Sequence, residues 1–184
     1  MGIAVLENPE IRGKALPITV PVYHRLYHTR EIQEAVELFE GVIVEKMPKS
    51  PLHSTLISKL VRFLRGILSD GLELRQEQPL TFERSELEPD IAIVAGKPDD
   101  YIEHHPAGAE LVIEIAVTSL AYDREKAAVY AAAGIPEFWI IDAADEKIEI
   151  YRGPSGGKYT DHSVRSFADS VGLPTGGELS LANL

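Results

Sequence analysis

Two acidic residues, Asp90 and Glu114, lie at the start of one apolar run and inside another, at positions 90–94 and 111–116. If a loop centred near residue 102 returns the second run antiparallel to the first, Asp90 lies opposite Glu114. The alternation of side chains then places both carboxylates on one face of the hairpin. Opposed carboxylates repel each other, and a divalent cation is the simplest group that reverses the repulsion. The pattern indicates a metal site built on Asp90 and Glu114.

Each of these acids also has a purely structural explanation. A buried, unpaired carboxylate is costly, so Glu114 could instead pair with an Arg or Lys on a neighbouring strand. Asp90 could be an ordinary turn acid after Pro89. Asp123 and Lys126 follow at the start of the next predicted helix, where an acid is favoured by the helix dipole and a lysine is commonly solvated. The residue types alone do not decide between a metal site and purely structural roles for these residues.

The elements that must position these residues follow from hydrophobic periodicity. Helices are predicted over residues 50–69 and 122–133, and a shorter one after Thr29 as N-cap. Strands are predicted at 38–39, 42–44, 72–76, 78–82, 90–94, 111–116, 137–141, 147–151 and 158–160. A strand, helix and strand joined in that order form a right-handed crossover, which makes strands 111–116 and 137–141 parallel.

This order of elements predicts an α/β (α+β) domain with a mixed central β-sheet flanked by helices over residues 30–184. Residues 1–29 contain Pro9, Pro17 and Pro21 without sustained periodicity, and we interpret them as an N-terminal extended arm. Such an arm could pack on its own domain or on a second subunit, and we expect a homodimer.

Composition narrows the classes of function. The chain has no cysteine, which excludes disulfides and thiolate sites, and its net charge is −11. No apolar run is long enough for a membrane span, so we expect a cytoplasmic protein without membrane contact. Residues 89–150 carry 13 acids and 4 bases, net −9, whereas residues 41–80 carry 6 bases and 4 acids, net +2. A surface that faces phosphates should therefore use the second segment.

That segment contains a basic stripe of Lys59, Arg62 and Arg65 on the polar side of the predicted helix, with no acid between Ser50 and Ser69. The stripe is the candidate nucleic-acid-binding surface. A solvated helix face explains the same pattern equally simply.

The chain contains an ordered set of motifs that is typical of a known family. The motifs are Glu88-Pro89-Asp90, Glu114-Ile115-Ala116, 122–126 and 134–142, with 37–41 and His53 before them. Over roughly residues 30–180 it resembles the Uma-type restriction endonuclease family, a branch of the PD-(D/E)XK nuclease superfamily. The resemblance implies a restriction-endonuclease-like fold. It also implies Mg²⁺ or Mn²⁺ on Asp90, Glu114 and the Ile115 carbonyl, and hydrolysis of phosphodiester bonds in nucleic acid, DNA in the first place.

The superfamily usually has a lysine two residues after the second acid, where this chain has Ala116. The resemblance assigns that catalytic role to Lys126, on the following helix. Supporting positions are Gln78, as a ligand of a metal or of its water, and a further acid at Glu37, Glu45 or Asp123.

Two other functions compete with this one. The resemblance implies an acid at the position of Val117, which is a second departure beside Ala116. These two departures, together with the acidic surface, fit a catalytically inactive nuclease-fold protein that acts in assembly or regulation. A zinc hydrolase has less support, because His104 and His105 lack ligand spacing to another histidine.

Overall fold

The computed structural model describes residues 8–32 and 35–184. The α-helices are α1 Pro9–Arg12, α2 Val20–His28, α3 Pro51–Ile67 and α4 Leu120–Ala132. The strands are β1 Val36–Phe39, β2 Val42–Glu45, β3 Leu72–Gln76, β4 Leu80–Thr81, β5 Glu86–Leu87, β6 Ile91–Ala95, β7 Leu111–Ala116, β8 Glu137–Asp142, β9 Lys147–Ser155, β10 Lys158–Ser166, β11 Val171–Gly172 and β12 Glu178–Leu179. Short 3-10 helices span Pro98–Tyr101 and Leu181–Asn183.

The central sheet has six strands in the order β10-β9-β8-β7-β6-β3. Strands β7 and β8 are parallel and the other neighbours are antiparallel, so the predicted mixed sheet is confirmed. Ile91 lies opposite Ile113 in the β6–β7 pair. This is the predicted register, and it brings Asp90, just before β6, level with Glu114 in β7.

Helices cover both faces of this sheet. On one face, Leu60 and Leu64 of α3 pack with odd-numbered strand residues such as Ile113. On the other face, Val129 and Tyr130 of α4 pack with even-numbered residues, including Ala92, Val112 and Ala116. Alternation therefore directs Glu114, an even-numbered residue of β7, toward α4.

Local sequence explains where the two long helices begin and end. The Ser50 side chain accepts a hydrogen bond from the His53 backbone N–H, and Pro51 occupies the first turn of α3, where a missing N–H costs nothing. Helix α4 is followed by Gly134 at φ +75°, a backbone conformation that glycine adopts without strain, and then by Pro136.

The N-terminal segment differs from the prediction. Residues 20–28 form helix α2 and are not extended, and Thr29 is the C-cap of α2, not the N-cap of a following helix. Val20 and Tyr23 are buried against Leu38 of β1, so contacts with the domain stabilise a helix that its weak periodicity did not reveal. Residues 1–7 of the predicted arm, and residues 33–34 of the predicted short helix, lie outside the described residues.

A second sheet, in the order β2-β1-β5-β4, lies beside the main one. The predicted strands 38–39 and 42–44 form its β1–β2 pair, and β1 carries Glu37. The predicted strand 78–82 is reduced to β4 of this sheet. Within residues 8–32 and 35–184, no helix combines the length and apolarity that crossing a membrane requires.

Candidate active site

Asp90 and Glu114 are in direct contact, as the predicted register requires. Oδ2 of Asp90 accepts a hydrogen bond from the Ile115 backbone N–H at 2.7 Å. The backbone N–H of Asp90 in turn donates to Oε2 of Glu114 at 3.3 Å. Both side chains are buried. Backbone groups of one strand therefore fix the carboxylate of the other, and the two acids form one small site.

Lys126 reaches this pair from α4. Its Nζ lies 3.0 Å from Oε1 of Glu114, 3.3 Å from Oε1 of Glu37 and 3.9 Å from Oδ1 of Asp123. The lysine is only 5% exposed, so it is not a solvated side chain at the start of a helix, which was the alternative explanation from the sequence. The structure thus gathers five of the candidate residues, namely Asp90, Glu114, Lys126, Glu37 and Asp123.

Charge in this cluster is unbalanced, because it contains four buried acids and a single lysine. Burial raises the pKa of Glu114 to about 8, since Lys126 only partly offsets burial and Asp90, Asp123 and Glu37 add repulsion. Burial also raises the pKa of Asp123. Burial by itself would lower the pKa of Lys126, but the surrounding carboxylates outweigh it and hold the ammonium charged. The site would gain from a further cation.

Three side chains that received no role from the sequence complete the site. His53 Nε2 donates to Oδ2 of Asp90 at 3.0 Å. Tyr130 donates to Oε1 of Glu114 at 3.0 Å, and Tyr122 to Oε1 of Glu37 at 2.6 Å. The two tyrosines could have been found from the sequence, because Tyr122, Lys126 and Tyr130 recur every four residues and so share one face of α4. His53 lay in the family resemblance but carried no predicted contact.

A cavity of about 130 Å³ opens onto this cluster, and its lining includes Asp90, Glu114, Ile115 and Lys126. In the described part of the chain, no three His, Asp or Glu side chains form a complete metal site. Mg²⁺ does not require one, because it is commonly held by one or two carboxylates with water and phosphate oxygens. Oδ1 of Asp90 has no hydrogen-bond partner among the described residues and is free to bind such an ion, whereas both oxygens of Glu114 already accept hydrogen bonds.

Two supporting candidates, Gln78 and Glu45, lie outside the cavity. Glu45 is opposite Val36 in the β1–β2 pair, and alternation therefore directs it away from the face of Glu37. Gln78 is exposed after the chain leaves β3 through Glu77, whose φ is +52°.

The basic stripe Lys59, Arg62 and Arg65 lies on α3, whose first residues border the cavity at Ser50 and His53. Arg62 and Arg65 are exposed and Lys59 is half-buried, and none of them lines the cavity. The stripe begins six residues beyond His53, which is about 9 Å along the helix axis. It therefore extends away from the acidic cluster.

Comparisons with known proteins agree with the fold. A solved structure described as a putative nuclease belonging to DUF820, from Anabaena variabilis, is 20% identical in sequence. The match covers 91% of this chain and 97% of that one, with a TM-score of 0.72, and at this identity it shows a shared fold. The search of curated proteins finds no match. The model of the Uma2 family, described as "Putative restriction endonuclease", matches residues 20–182, and the chain therefore belongs to the Uma2 family.

Proposed function

We propose that this protein is a divalent-metal-dependent nuclease that hydrolyses phosphodiester bonds at the Asp90–Glu114 cluster. The observation that carries the proposal is the contact of Lys126 Nζ with Glu114 Oε1 at 3.0 Å, beside Asp90. Two acids and a lysine thus meet in one cavity although the sequence has Ala116 at the superfamily's usual lysine position. Family membership supports nuclease activity independently of this geometry.

Asp90 and Glu114 would hold Mg²⁺ or Mn²⁺, with Ile115 beside them in the cavity lining. Bound there, the ion would supply a water of lowered pKa and a counter-charge for the scissile phosphate. His53 fixes the orientation of Asp90 through its contact with Oδ2, and Tyr130 fixes that of Glu114. Such contacts orient carboxylates before a ligand arrives.

Lys126 provides a permanent positive charge at the same place. Three carboxylates hold its ammonium group within 4 Å, so it does not have to be ordered when a phosphate approaches. A pre-positioned cation stabilises the negative charge that develops as a phosphodiester bond is attacked. We assign it this role, or that of orienting the attacking water.

The substrate would approach over α3. Lys59, Arg62 and Arg65 lie on the helix whose N-terminal end borders the cavity, and their charge opposes the net −11 of the chain. DNA is the first substrate to test, and a homodimer would present two such surfaces.

A catalytically inactive nuclease-fold module is the second candidate, and two observations favour it. Oε1 of Glu114 is already engaged by both Lys126 and Tyr130, and the neutral Val117 lines the cavity. A metal would have to compete with these contacts.

Cleavage assays separate the two candidates. Supercoiled DNA, linear DNA and RNA would be incubated with the protein and Mg²⁺, Mn²⁺ or EDTA, with Glu114→Gln as control. Cleavage that requires a metal and is absent in the variant supports the nuclease. No cleavage of any substrate with either metal would favour the inactive module.

A further inference from the structure

A second and larger cavity, of about 700 Å³, lies outside the Asp90–Glu114 cluster. It is bounded by α2, by β5 and by the segment that follows the 3-10 helix Pro98–Tyr101. Its volume is within the usual range for small-molecule sites. The nuclease mechanism above uses none of its residues.

Aromatic rings dominate the walls of this cavity. Tyr27 and Tyr101 line it, and so do four histidines, namely His24, His28, His104 and His105. The Tyr101 hydroxyl donates a hydrogen bond to the Ala95 carbonyl. Its polar group is therefore already satisfied, and the faces of the ring are what a ligand would contact. Tyrosine and histidine rings in such numbers are suited to stacking on a flat, unsaturated ligand.

Carboxylates add hydrogen-bond acceptors to these rings. Oε2 of Glu86 accepts bonds from His24 and Thr81, each at 2.6 Å, which fixes the side chain in place. Oε1 of Glu86 has no partner among the described residues. Carboxylates repel a phosphate but accept hydrogen bonds from N–H groups. The cavity is therefore better suited to the base of a nucleotide than to its phosphate.

The histidines do not form a metal site, since no suitable group of three converges within residues 8–32 and 35–184. A buried cation lies behind the wall instead. Arg75 is 7% exposed, contacts His105 Nδ1 at 3.3 Å and lies 5.3 Å from the centre of the Tyr101 ring. Its Nε is buried without a hydrogen-bond partner. The Arg75 guanidinium thus holds the rings of His105 and Tyr101, which line the cavity, in position.

The two cavities are neighbours, because Glu88 lines both. Its carboxylate is held by Lys46 at 2.9 Å, and its backbone N–H donates to Glu37 in the acidic cluster. A nucleotide next to the one cleaved at Asp90 and Glu114 could therefore place its base in the larger cavity.

From these contacts we infer that the larger cavity is a nucleobase-binding pocket that receives an unstacked base of the substrate beside the scissile phosphate. This inference rests on the proposed nuclease function. Stacking on Tyr27, Tyr101 and His104 provides affinity, and Glu86 selects a base edge that carries N–H donors. Extrusion of the base is easiest from single-stranded or mismatched nucleic acid, so such substrates are preferred over a regular duplex.

Nucleosides test the pocket directly, since they carry no phosphate for the metal site. Guanosine, adenosine, cytidine and thymidine would be titrated into the whole chain of residues 1–184 in EDTA, by NMR and calorimetry. The test variant is Tyr27→Ala with His104→Ala, both exposed side chains, and His104→Ala alone serves if the double variant unfolds. The matched control is His162→Ala, because that exposed histidine lies on β10 and outside the pocket.

Saturable binding of at least one nucleoside is expected, weakened about tenfold or more in the double variant and unchanged in the control. The absence of saturable binding, or equal affinity in the double variant, would overturn the pocket. A parallel cleavage assay with Mn²⁺ separates the two proposals. Cleavage without nucleoside binding refutes only the pocket. Nucleoside binding without cleavage supports base binding by the larger cavity and refutes the nuclease, and with it the placement of that base beside a scissile phosphate.

Discussion

Lys126 Nζ lies 3.0 Å from Oε1 of Glu114, which joins the second turn of α4 to the middle of the central sheet. The strand that bears Glu114 has no basic residue of its own, and Ala116 occupies the place where the superfamily usually has lysine. The helix after the strand thus delivers the cation to the carboxylate.

Replacement of Lys126 by Met should lower phosphodiesterase turnover by orders of magnitude and leave metal affinity nearly intact, because the proposed role of the ammonium is to stabilise the transition state. Three carboxylates would lose their cation, so stability without metal should also fall, by about 3–5 kcal/mol. Single-turnover cleavage, Mn²⁺ calorimetry and thermal unfolding would measure these effects, with the exposed Lys147→Met as control. Unchanged turnover would assign the role to another residue.

Replacement of Asp90 by Asn or of Glu114 by Gln should each abolish divalent-metal binding, since each removes a negative charge from the same small site. Stability without metal should hold, or rise at a pH where both carboxylates are ionised, because repulsion within the cluster is then relieved. The readout is the increase of Tm on adding Mn²⁺, which the wild type shows and both variants lack. The exposed Asp145→Asn should behave as wild type, and wild-type Mn²⁺ affinity in either site variant would refute a shared site.

The raised pKa of Glu114 predicts a pH dependence of stability in EDTA. Between its ordinary pKa of 4.5 and the raised value of about 8, the folded protein binds a proton at Glu114 that the unfolded chain has released. The free energy of unfolding should therefore fall as pH rises through this window.

Glu114→Gln removes the titrating group, so the variant should lose less stability than the wild type. Urea unfolding of both proteins between about pH 5 and about pH 9 measures the difference in slope. Parallel pH profiles would show that the carboxyl titrates near its ordinary pKa.

Replacement of His53 by Ala should weaken metal binding about 10–100-fold, because Asp90 loses the contact that orients Oδ2. The side-chain amide of His53→Gln can still donate a hydrogen bond from near the position of Nε2 and should restore part of the affinity. Mn²⁺ calorimetry at constant pH distinguishes this positioning role from a structural one, for which both variants would lose Tm without any difference in affinity.

Simultaneous replacement of Lys59, Arg62 and Arg65 by Ala should weaken nucleic-acid binding and lower the slope of log K against log salt by about 2–3. Fluorescence anisotropy with labelled DNA and RNA at several salt concentrations measures both effects. The control is a variant with Ala at three exposed cations on β9 and β10, namely Lys147, Lys158 and Arg165. Equal loss in the control would remove the stripe as a specific surface.

Much of the fold could be predicted from periodicity. The helix over 50–69, the β7–α4–β8 crossover and the strands at 147–151 and 158–160 have strong patterns and short connections, which leave few alternatives. The N-terminal helix α2 could not be predicted in this way, because its stability comes from burial of Val20 and Tyr23 against Leu38 and not from local propensity.

The sequence by itself determined that Asp90 faces Glu114, because an apolar strand pair and the loop between them fix the register. Only the tertiary structure decided which other groups join them. Glu37 enters from a second sheet and His53 from the start of α3, whereas Glu45 and Gln78 are left outside. Such choices depend on how separate elements pack, and strand alternation or helix spacing constrains only the neighbours within one element or one strand pair.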